Sequence, residues 1–430
     1  MKFSVVIPTY NRSMQLMLTL KAFEKQTCPM DQFEIIVVND GSTDNTLEQL
    51  EQYHAPYRLT LLSLKQQSGR SVTRNVGVSE SKERYIIFCD PDFLVSPNFI
   101  EIHASYHKKY PNSVVSGAPN IWQNVYTHMH ADFSKEERGL MHVVLKDTGL
   151  WNDHFWEAKE TIDVISLDDV YHQTDKLRKV IAPWDVDEPV KAQYARTDVA
   201  PWDVDEPVKA QYARTDVAPW DVDEPVKAQY ARTDVAPWLL SVTRCLSMPK
   251  RLFISAGGFH DKFFKYGLED WELGYRLHRR GYKFKVIKEI IGYHQEHPSS
   301  FRNDDSVNEN LKILYKKHGF RDPELTLFAT CPPSSKIGVY KNTLRTLRAW
   351  GKSKRPSYRR SARQVKRACA RSAKLLYKNP ESPVYKHVSS SLEQALVSLD
   401  RVYTGRSSRL QKHRKIKRIM DKTCRSLNRR

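Results

Sequence analysis

The sequence predicts an α/β fold, a mostly parallel central sheet flanked by helices, followed by a C-terminal basic α-helical region. Three observations predict it. Short apolar runs alternate with helix-compatible polar stretches over the first hundred residues, as in repeated strand–helix units. Three runs end in polar clusters, at Thr9–Asn11, Asn39–Ser42 and Asp90–Asp92, and ligands of parallel sheets collect beyond the carboxyl ends of the strands. The charge is lopsided. Residues 336–430 hold 28 Lys or Arg and four acids, a net +24 against +19 for the whole 430-residue chain, so 1–335 is slightly acidic.

Phe3–Ile7 opens the chain as a strand ending at Pro8, and Leu16, Leu20 and Phe23 follow at helical spacing. Phe33–Val38 is a second continuous apolar strand. The string NDGSTDNT after it is a turn that caps a helix carrying Leu47 and Leu50. Tyr57–Leu64 is a third strand candidate, and Tyr85–Cys89 is a fourth that runs straight into Asp90, Pro91 and Asp92. Glu269 and Asp270 start a helix whose apolar positions are Leu273 and Leu277. Lys283–Ile291 reads as a strand leading into GYHQEHP, where His294 and His297 stand three apart. Beyond 335, apolar residues recur at helical spacing: Leu344, Leu347, Trp350; Ala362, Val365, Cys369, Leu376; Leu392, Leu396, Leu399, Tyr403; Ile416, Met420, Leu427. Lys and Arg fill the other faces, which suits helices lying on an anionic surface.

A content of 40% hydrophobic and 11% aromatic residues excludes wholesale disorder. The apolar runs fall far short of the ~20 residues a membrane-spanning helix needs. The opening MKFSVVIPTYNR is too short for a signal peptide. Six scattered cysteines offer no zinc or dithiol spacing, so the expected setting is reducing and cytoplasmic. The string APWDVDEPVKAQYARTDV occurs three times unchanged, at 182–199, 200–217 and 218–235. Each copy has two prolines and a net acidic charge. We expect an acidic, mobile surface insertion, with an ordered binding loop as the alternative. The expected organisation is 1–335 as one domain interrupted by these repeats at 182–235, then a basic amphipathic helical tail at 336–430.

Four motifs stand in series: SVVIPTYNR, VVNDGSTDNT, GRSVTRNVG (69–77) and the DxD of Asp90–Asp92. After the repeats, one segment carries Gly257, Gly258, Phe259, Glu269, Asp270 and Trp271. This series resembles the GT-A glycosyltransferases, family 2 in particular, with an acceptor segment similar to that of galactosyltransferases. The resemblance implies a Rossmann-like domain. It also implies an inverting, metal-dependent transfer from a nucleotide-diphosphate sugar, most often UDP-linked, to a hydroxyl acceptor. By it, Pro8 through Arg12, Tyr10 among them, and Asp40 hold the nucleoside. Arg74 and Asn75 lie near the ribose or diphosphate, Asp90 faces the ribose and Asp92 the metal. Asp270 is the general base and Glu269 holds the acceptor or orients its loop, with Gly258 and Trp271 on the acceptor side. His297, with His294 as the alternative, closes a Mn2+ or Mg2+ site.

Elementary chemistry agrees. A hard cation held by one or two carboxylates offsets the charge of a departing diphosphate. A carboxylate at a helix N-terminus is favoured as the anion. The expected partners are a nucleotide-sugar donor and a carbohydrate or polymer acceptor, such as a bacterial surface polysaccharide, teichoic-acid-like polymer or glycolipid. An anionic membrane surface is the partner expected of 336–430, placing the protein on the inner face of the cell membrane. No nucleic acid is expected. The alternatives are a non-catalytic polyanion binder with a degenerate domain, which intact Asp90, Asp92 and Asp270 oppose, and a sugar nucleotidyltransferase, which PTYNR opposes because it lacks a Gly-rich phosphate loop.

Overall fold

The computed structural model describes residues 1–117, 124–185, 224–298 and 304–404. They form two compact units, Met1–Asp223 with Trp238–Asn303, and Glu224–Pro237 with Asp304–Arg430.

The first unit is built on β1 (Phe3–Thr9), β2 (Phe33–Asn39), β3 (Arg58–Ser63) and β4 (Tyr85–Cys89). β1 pairs in parallel with β2 and with β4, and β2 with β3. β1, β2 and β4 are buried at every position, as continuous apolar strands covered on both faces must be. β3 holds only exposed and half-buried residues, as an edge strand does. The connections are α1 (Ser13–Phe23), α2 (Thr46–Gln52) and α3 (Arg70–Glu80). Leu16, Leu20 and Phe23 of α1 are all buried. On α2 only Leu50 of the expected pair is buried, Leu47 being exposed. Its start is held by Asp44, which accepts a 3.0 Å bond from the Thr46 N–H.

Beyond β4 lie β5 (Phe93–Val95), α4 (Phe99–Lys109), β6 (Ser113–Ser116) and β7 (Asn124–Val125). Then come β8 (His128–Met129), α5 (Lys135–Leu145), β9 (Ile162–Asp163), α6 (Leu167–His172) and α7 (Asp175–Asp185). α8 (Glu224–Ala231) belongs to the second unit. The first unit resumes with β10 (Cys245–Pro249), α9 (Lys250–Ala256), α10 (Glu269–Arg279), β11 (Lys283–Val286) and β12 (Gly292–Gln295). The main sheet has the order β11-β6-β10-β4-β1-β2-β3, with β10 alone antiparallel to its neighbours. This is the mostly parallel, Rossmann-like α/β sheet that the sequence predicts. The strand expected over Lys283–Ile291 is shorter, and a second strand follows it in another sheet. β11 stops at Val286 beside β6, and β12 joins a small sheet between β5 and β7. Gly292 permits this, because a Cβ there would lie 2.5 Å from the Phe93 ring.

The second unit contains α8, α11 (Asp304–His318), α12 (Pro323–Thr326), α13 (Pro333–Gly351), α14 (Pro356–Lys378) and α15 (Pro383–Thr404). The contact boundary at 303/304 lies upstream of the expected 335, because α11 and α12 bury Leu311, Leu314, Tyr315 and Leu325 within this helical unit. Leu344, Leu347, Trp350, Ala362, Val365, Cys369, Leu376, Leu392 and Leu396 are all buried. The apolar stripes therefore pack helix against helix. The side chains of Leu399 and Tyr403, and all of 405–430 with Ile416, Met420 and Leu427, lie outside the described residues. Most of the repeat insertion, 186–223, also lies outside them. The described end of its third copy departs from the expected mobile insertion. Gln229–Ala231 close α8, Tyr230 and Val235 are buried, and Asp234 is ion-paired to Arg345. Five cysteines, Cys28, Cys89, Cys245, Cys331 and Cys369, are buried free thiols. Among the described residues no helix is long and apolar enough to cross a membrane.

Candidate active site and metal centre

The carboxyl ends of β1, β2 and β4 bring the predicted clusters together. Pro8 is buried inside β1, and Tyr10 just beyond it is exposed. Asn11 ties the β1 and β2 ends together. Its N–H donates to Ser42 Oγ at 2.9 Å, and its Oδ1 accepts from the Thr43 N–H at 2.8 Å. Asp40 is buried, and its two oxygens accept the N–H groups of Ser68 and Gly69 at 2.7 and 2.9 Å. It thereby fixes the loop that opens α3. Gly41 sits at φ +73, and a Cβ there would lie 2.8 Å from the Gln66 carbonyl carbon, so only glycine makes this turn.

Arg74, expected near the diphosphate, is buried between two carboxylates. It donates 3.1 Å bonds to Asp90 Oδ1 and to Glu269 Oε1. One guanidinium therefore joins the DxD loop to the start of α10. Asn75, expected beside it, holds the Gly-Gly-Phe segment instead. Its Oδ1 accepts from the Phe259 N–H at 2.9 Å, and its Nδ2 donates to the Phe259 carbonyl at 2.9 Å. Gly258 packs closely against this amide: a Cβ on it would lie 2.8 Å from Asn75 Oδ1.

α10 begins after Leu268, a non-glycine residue at φ +70. Such strain persists where surrounding structure over-determines it. Glu269 is buried and Asp270 half-buried. Asp270 Oδ1 accepts a 2.6 Å bond from the Trp271 N–H, and the Trp271 indole donates to the Leu239 carbonyl at 3.0 Å. Burial, with Glu269 beside it, pushes the Asp270 carboxyl up to about 8 against the pull of Arg74. Further along α10, Arg276 donates to Glu272 and to the Gly258 carbonyl at 2.6 Å, locking the glycine segment onto the helix. Gly274 lets α10 approach the preceding turn: a Cβ there would lie 2.1 Å from Ser241 Oγ and 2.7 Å from the Trp238 carbonyl. Gly274→Ala is therefore expected to lower stability by ~1–3 kcal/mol despite alanine's better helix propensity, as urea unfolding will show.

The pairing of β12 with β5 sets His294 opposite Phe93, next to Asp92. Asp92 Oδ2 lies 3.3 Å from His297 Nε2 and 3.8 Å from His294 Nε2. One ligand atom from each of Asp92, His294 and His297 falls within 4.8 Å of the others. Burial opposes the charge on Asp92, yet the bond to His297 and the nearby His294 hold its carboxyl well below the ordinary value. Burial and Arg244 lower the His294 pKa, which favours the neutral imidazole that ligates metals. Asp92 Oδ1 is buried with no hydrogen-bond partner among the described residues. A carboxylate with a lone pair to spare and two imidazoles fit a divalent cation such as Mn2+ or Mg2+, and the imidazoles tilt the set towards Mn2+.

Several neighbours escaped the sequence reading. Arg244 Nε lies 4.0 Å from Asp90. Its place follows from β10 pairing Cys245 with Cys89, a register that no local signal announces. Arg70 stacks on Tyr266 at 4.8 Å. Glu296 Oε1 lies 3.4 Å from His294 Nδ1, a contact that orients the ring whose other nitrogen faces Asp92. The string HQEHP contained it without marking it. Arg12 Nη2 comes within 3.5 Å of His297 Nδ1, which brings the β1 end to the same cluster.

Comparison with known proteins bears on both halves. The profile described as "Glycosyl transferase family 2" matches residues 4–155, and that described as "N-terminal domain of galactosyltransferase" matches 241–298. The uncharacterized glycosyltransferase YfnE of Bacillus subtilis (strain 168) is 27% identical over 336 residues, 74% of this chain and 71% of that one. The poly(ribitol-phosphate) beta-N-acetylglucosaminyltransferase TarS of Staphylococcus aureus (strain Mu50 / ATCC 700699) is 32% identical over 116 residues, 27% of this chain and 20% of that one. The validoxylamine A glucosyltransferase of Streptomyces hygroscopicus subsp. jinggangensis (strain 5008) is 26% identical over 330 residues, 75% of this chain and 62% of that one. The motifs of the β1, β2 and β4 ends fall inside the first match, and Asp270, His294 and His297 inside the second. Residues 4–155 are thus a family 2 glycosyltransferase domain, and residues 241–298 a related galactosyltransferase-type segment.

Proposed function

We propose that this chain transfers a sugar, with inversion, from a UDP-sugar to a hydroxyl of a teichoic-acid-like cell-surface polymer. The observation that carries the reading is Arg74, whose guanidinium bonds Asp90 at one end and Glu269 at the other. It joins the DxD loop to Glu269, the chain neighbour of the candidate base Asp270. In this reading Asp270 takes the acceptor proton as the hydroxyl oxygen attacks the anomeric carbon, and Glu269 orients the acceptor loop. The β1 and β2 ends, with Tyr10, Arg12 and Asp40, receive the nucleoside. Asp90 faces the ribose. Asp92, His297 and His294 hold the cation, which supplies positive charge to the leaving diphosphate. Trp271 and the Gly258 segment border the acceptor. The polymer acceptor is supported by the likeness to the poly(ribitol-phosphate) transferase TarS.

The test is a panel of nucleotide sugars with Mn2+ or Mg2+, scored by release of free nucleoside diphosphate. UDP release from a UDP-sugar, abolished by chelator and restored by Mn2+, is expected. Release from none of the donors overturns the reading, and a product with retained anomeric configuration overturns the inversion.

The basic helices are proposed to bring the enzyme to an anionic surface on the inner face of the membrane. α14 carries eight Lys or Arg and no acid, while its apolar stripe is buried. Attraction is then electrostatic, without insertion of that stripe. Binding to anionic vesicles is expected to vanish when salt is raised to about 1 M, where the Debye length is ~3 Å. Salt-resistant binding, or equal binding to neutral vesicles, would refute it.

A further inference from the structure

The end of the third repeat lies in a built socket of the helical unit. Lys341, itself fully buried, donates from Nζ to the carbonyls of Gln229, Tyr230 and Arg232 at 2.7, 3.2 and 2.7 Å. These carbonyls lie at and just beyond the C-terminus of α8, where a cation is favoured. The Tyr230 hydroxyl donates to the Pro333 carbonyl. Arg345 forks onto Asp234 with bonds of 2.6 and 2.8 Å, the bidentate geometry that makes such pairs strong. Arg348 donates to the Asp234 carbonyl at 2.5 Å. Val235 and Ala236 are buried behind it.

Each of these contacts is to a residue of the repeated string or to the alanine after it. The second copy has Gln211, Tyr212, Arg214, Asp216, Val217 and Ala218 at the same offsets, and the first has Gln193, Tyr194, Arg196, Asp198, Val199 and Ala200. No contact on the socket side distinguishes one copy from another. An empty socket would forfeit the three carbonyl bonds of Lys341 and the fork of Arg345 onto Asp234. It therefore favours being filled by some copy at all times. Copies in one chain face each other at roughly millimolar effective concentration. The third copy has one advantage, its direct continuation into Trp238; docking the second leaves 18 residues of chain to close as a loop, a cost that grows only slowly with length.

We propose that this socket reads a single repeat unit, and that the other copies of the string in the same chain are alternative occupants of it. The tandem array is then a register device. A slip of one repeat keeps the docked contacts and lengthens the covalent connection to Trp238 by 18 residues. This inference is independent of the proposed sugar transfer.

Zero-length coupling tests it in the full chain. R345K keeps a cation against Asp234, whose side chain is 43% exposed and open to reagent. A carbodiimide joins that amine and carboxylate as an amide, taking up the water lost as it becomes a urea. Mass mapping of the R345K chain is expected to show coupling to Asp234; its absence would mean that the pair does not form, and overturns the proposal. In R345K/D234A, coupling is expected to persist through Asp216 or Asp198 within a single chain, at no less than roughly a tenth of the parent yield. Adding D198A and D216A should abolish it. Loss of coupling on D234A alone overturns the exchange. Coupling found only between two chains also overturns it, since the occupant would then be a second copy of the protein.

Discussion

Replacing Asp270 with Asn is expected to lower sugar transfer by roughly 10²–10⁴ while leaving donor binding nearly unchanged. Asparagine keeps the shape of the side chain and an oxygen to accept the 2.6 Å bond from the Trp271 N–H. It removes only the charge and the capacity to take a proton. The fold should not suffer, because the neutral amide replaces a carboxyl that is itself largely protonated below about pH 8. The pH dependence supplies a second reading. With its carboxyl pushed up to about 8, Asp270 is largely protonated below that pH and cannot act as a base. kcat/KM of the unaltered enzyme should therefore climb as pH rises towards 8, and this limb should be missing from the Asn variant's residual rate. The stability linkage has the same origin. The folded pKa lies above the ordinary 3.8, so the folded state holds the extra proton between those values. The contribution of this group to stability is then largest below 3.8 and declines as pH rises towards 8, the reverse of a salt-bridged carboxylate. Steady-state rates with the Asn variant, donor affinity by calorimetry and a pH series check all three. Normal turnover by the Asn variant would remove Asp270 from the base role.

Much of this site was legible because the relevant signals are local. An apolar run that stops at Asp90–Asp92 places those carboxylates at a strand end whatever the rest of the chain does, and Gly41 announces its turn in the same way. His294 and His297 were visible as a pair, and the family resemblance, rather than their spacing, set that pair beside Asp92, where the structure has both. Partnership across the fold was not legible. Arg74 and Asn75 are neighbours on α3, yet one bonds two carboxylates and the other grips the Phe259 backbone. Sequence spacing cannot separate those fates, because they depend on where α10 and the Gly258 segment fall in space. Arg244 was missed for a related reason: its neighbour Cys245 pairs with Cys89 through an antiparallel register fixed by the whole sheet. The basic helices show a different limit. Amphipathic periodicity shows that a face is buried but does not say against what, and here neighbouring helices cover it rather than lipid. The third repeat copy shows the same gap, since the acidity that suggested a mobile loop is the charge that Arg345 holds.

Arg74→Ala is expected to have the largest effect on stability, ~3–5 kcal/mol, and to change catalysis in a direction that a simple packing defect would not. The guanidinium is buried, with one carboxylate at each end. Removing it leaves Glu269 in the interior without its cation, and Glu269 Oε2 already has no partner among the described residues. That uncompensated charge, more than the lost bonds, sets the cost. Arg74→Lys should recover only part of it, because a point charge cannot fork onto two carboxylates as the planar group does. Combining Arg74→Ala with Glu269→Gln should destabilise less than the sum of the two changes, since the second removes the charge that the first exposes. Arg74 also pulls the Asp270 carboxyl downward, so its loss raises that pKa further and moves the ascending limb of kcat/KM to higher pH. Urea unfolding of the two single variants and the double variant, together with a pH profile of Arg74→Ala, measures both consequences. Additive losses with an unmoved limb would show that Arg74 fills space without coupling the metal loop to the acceptor helix.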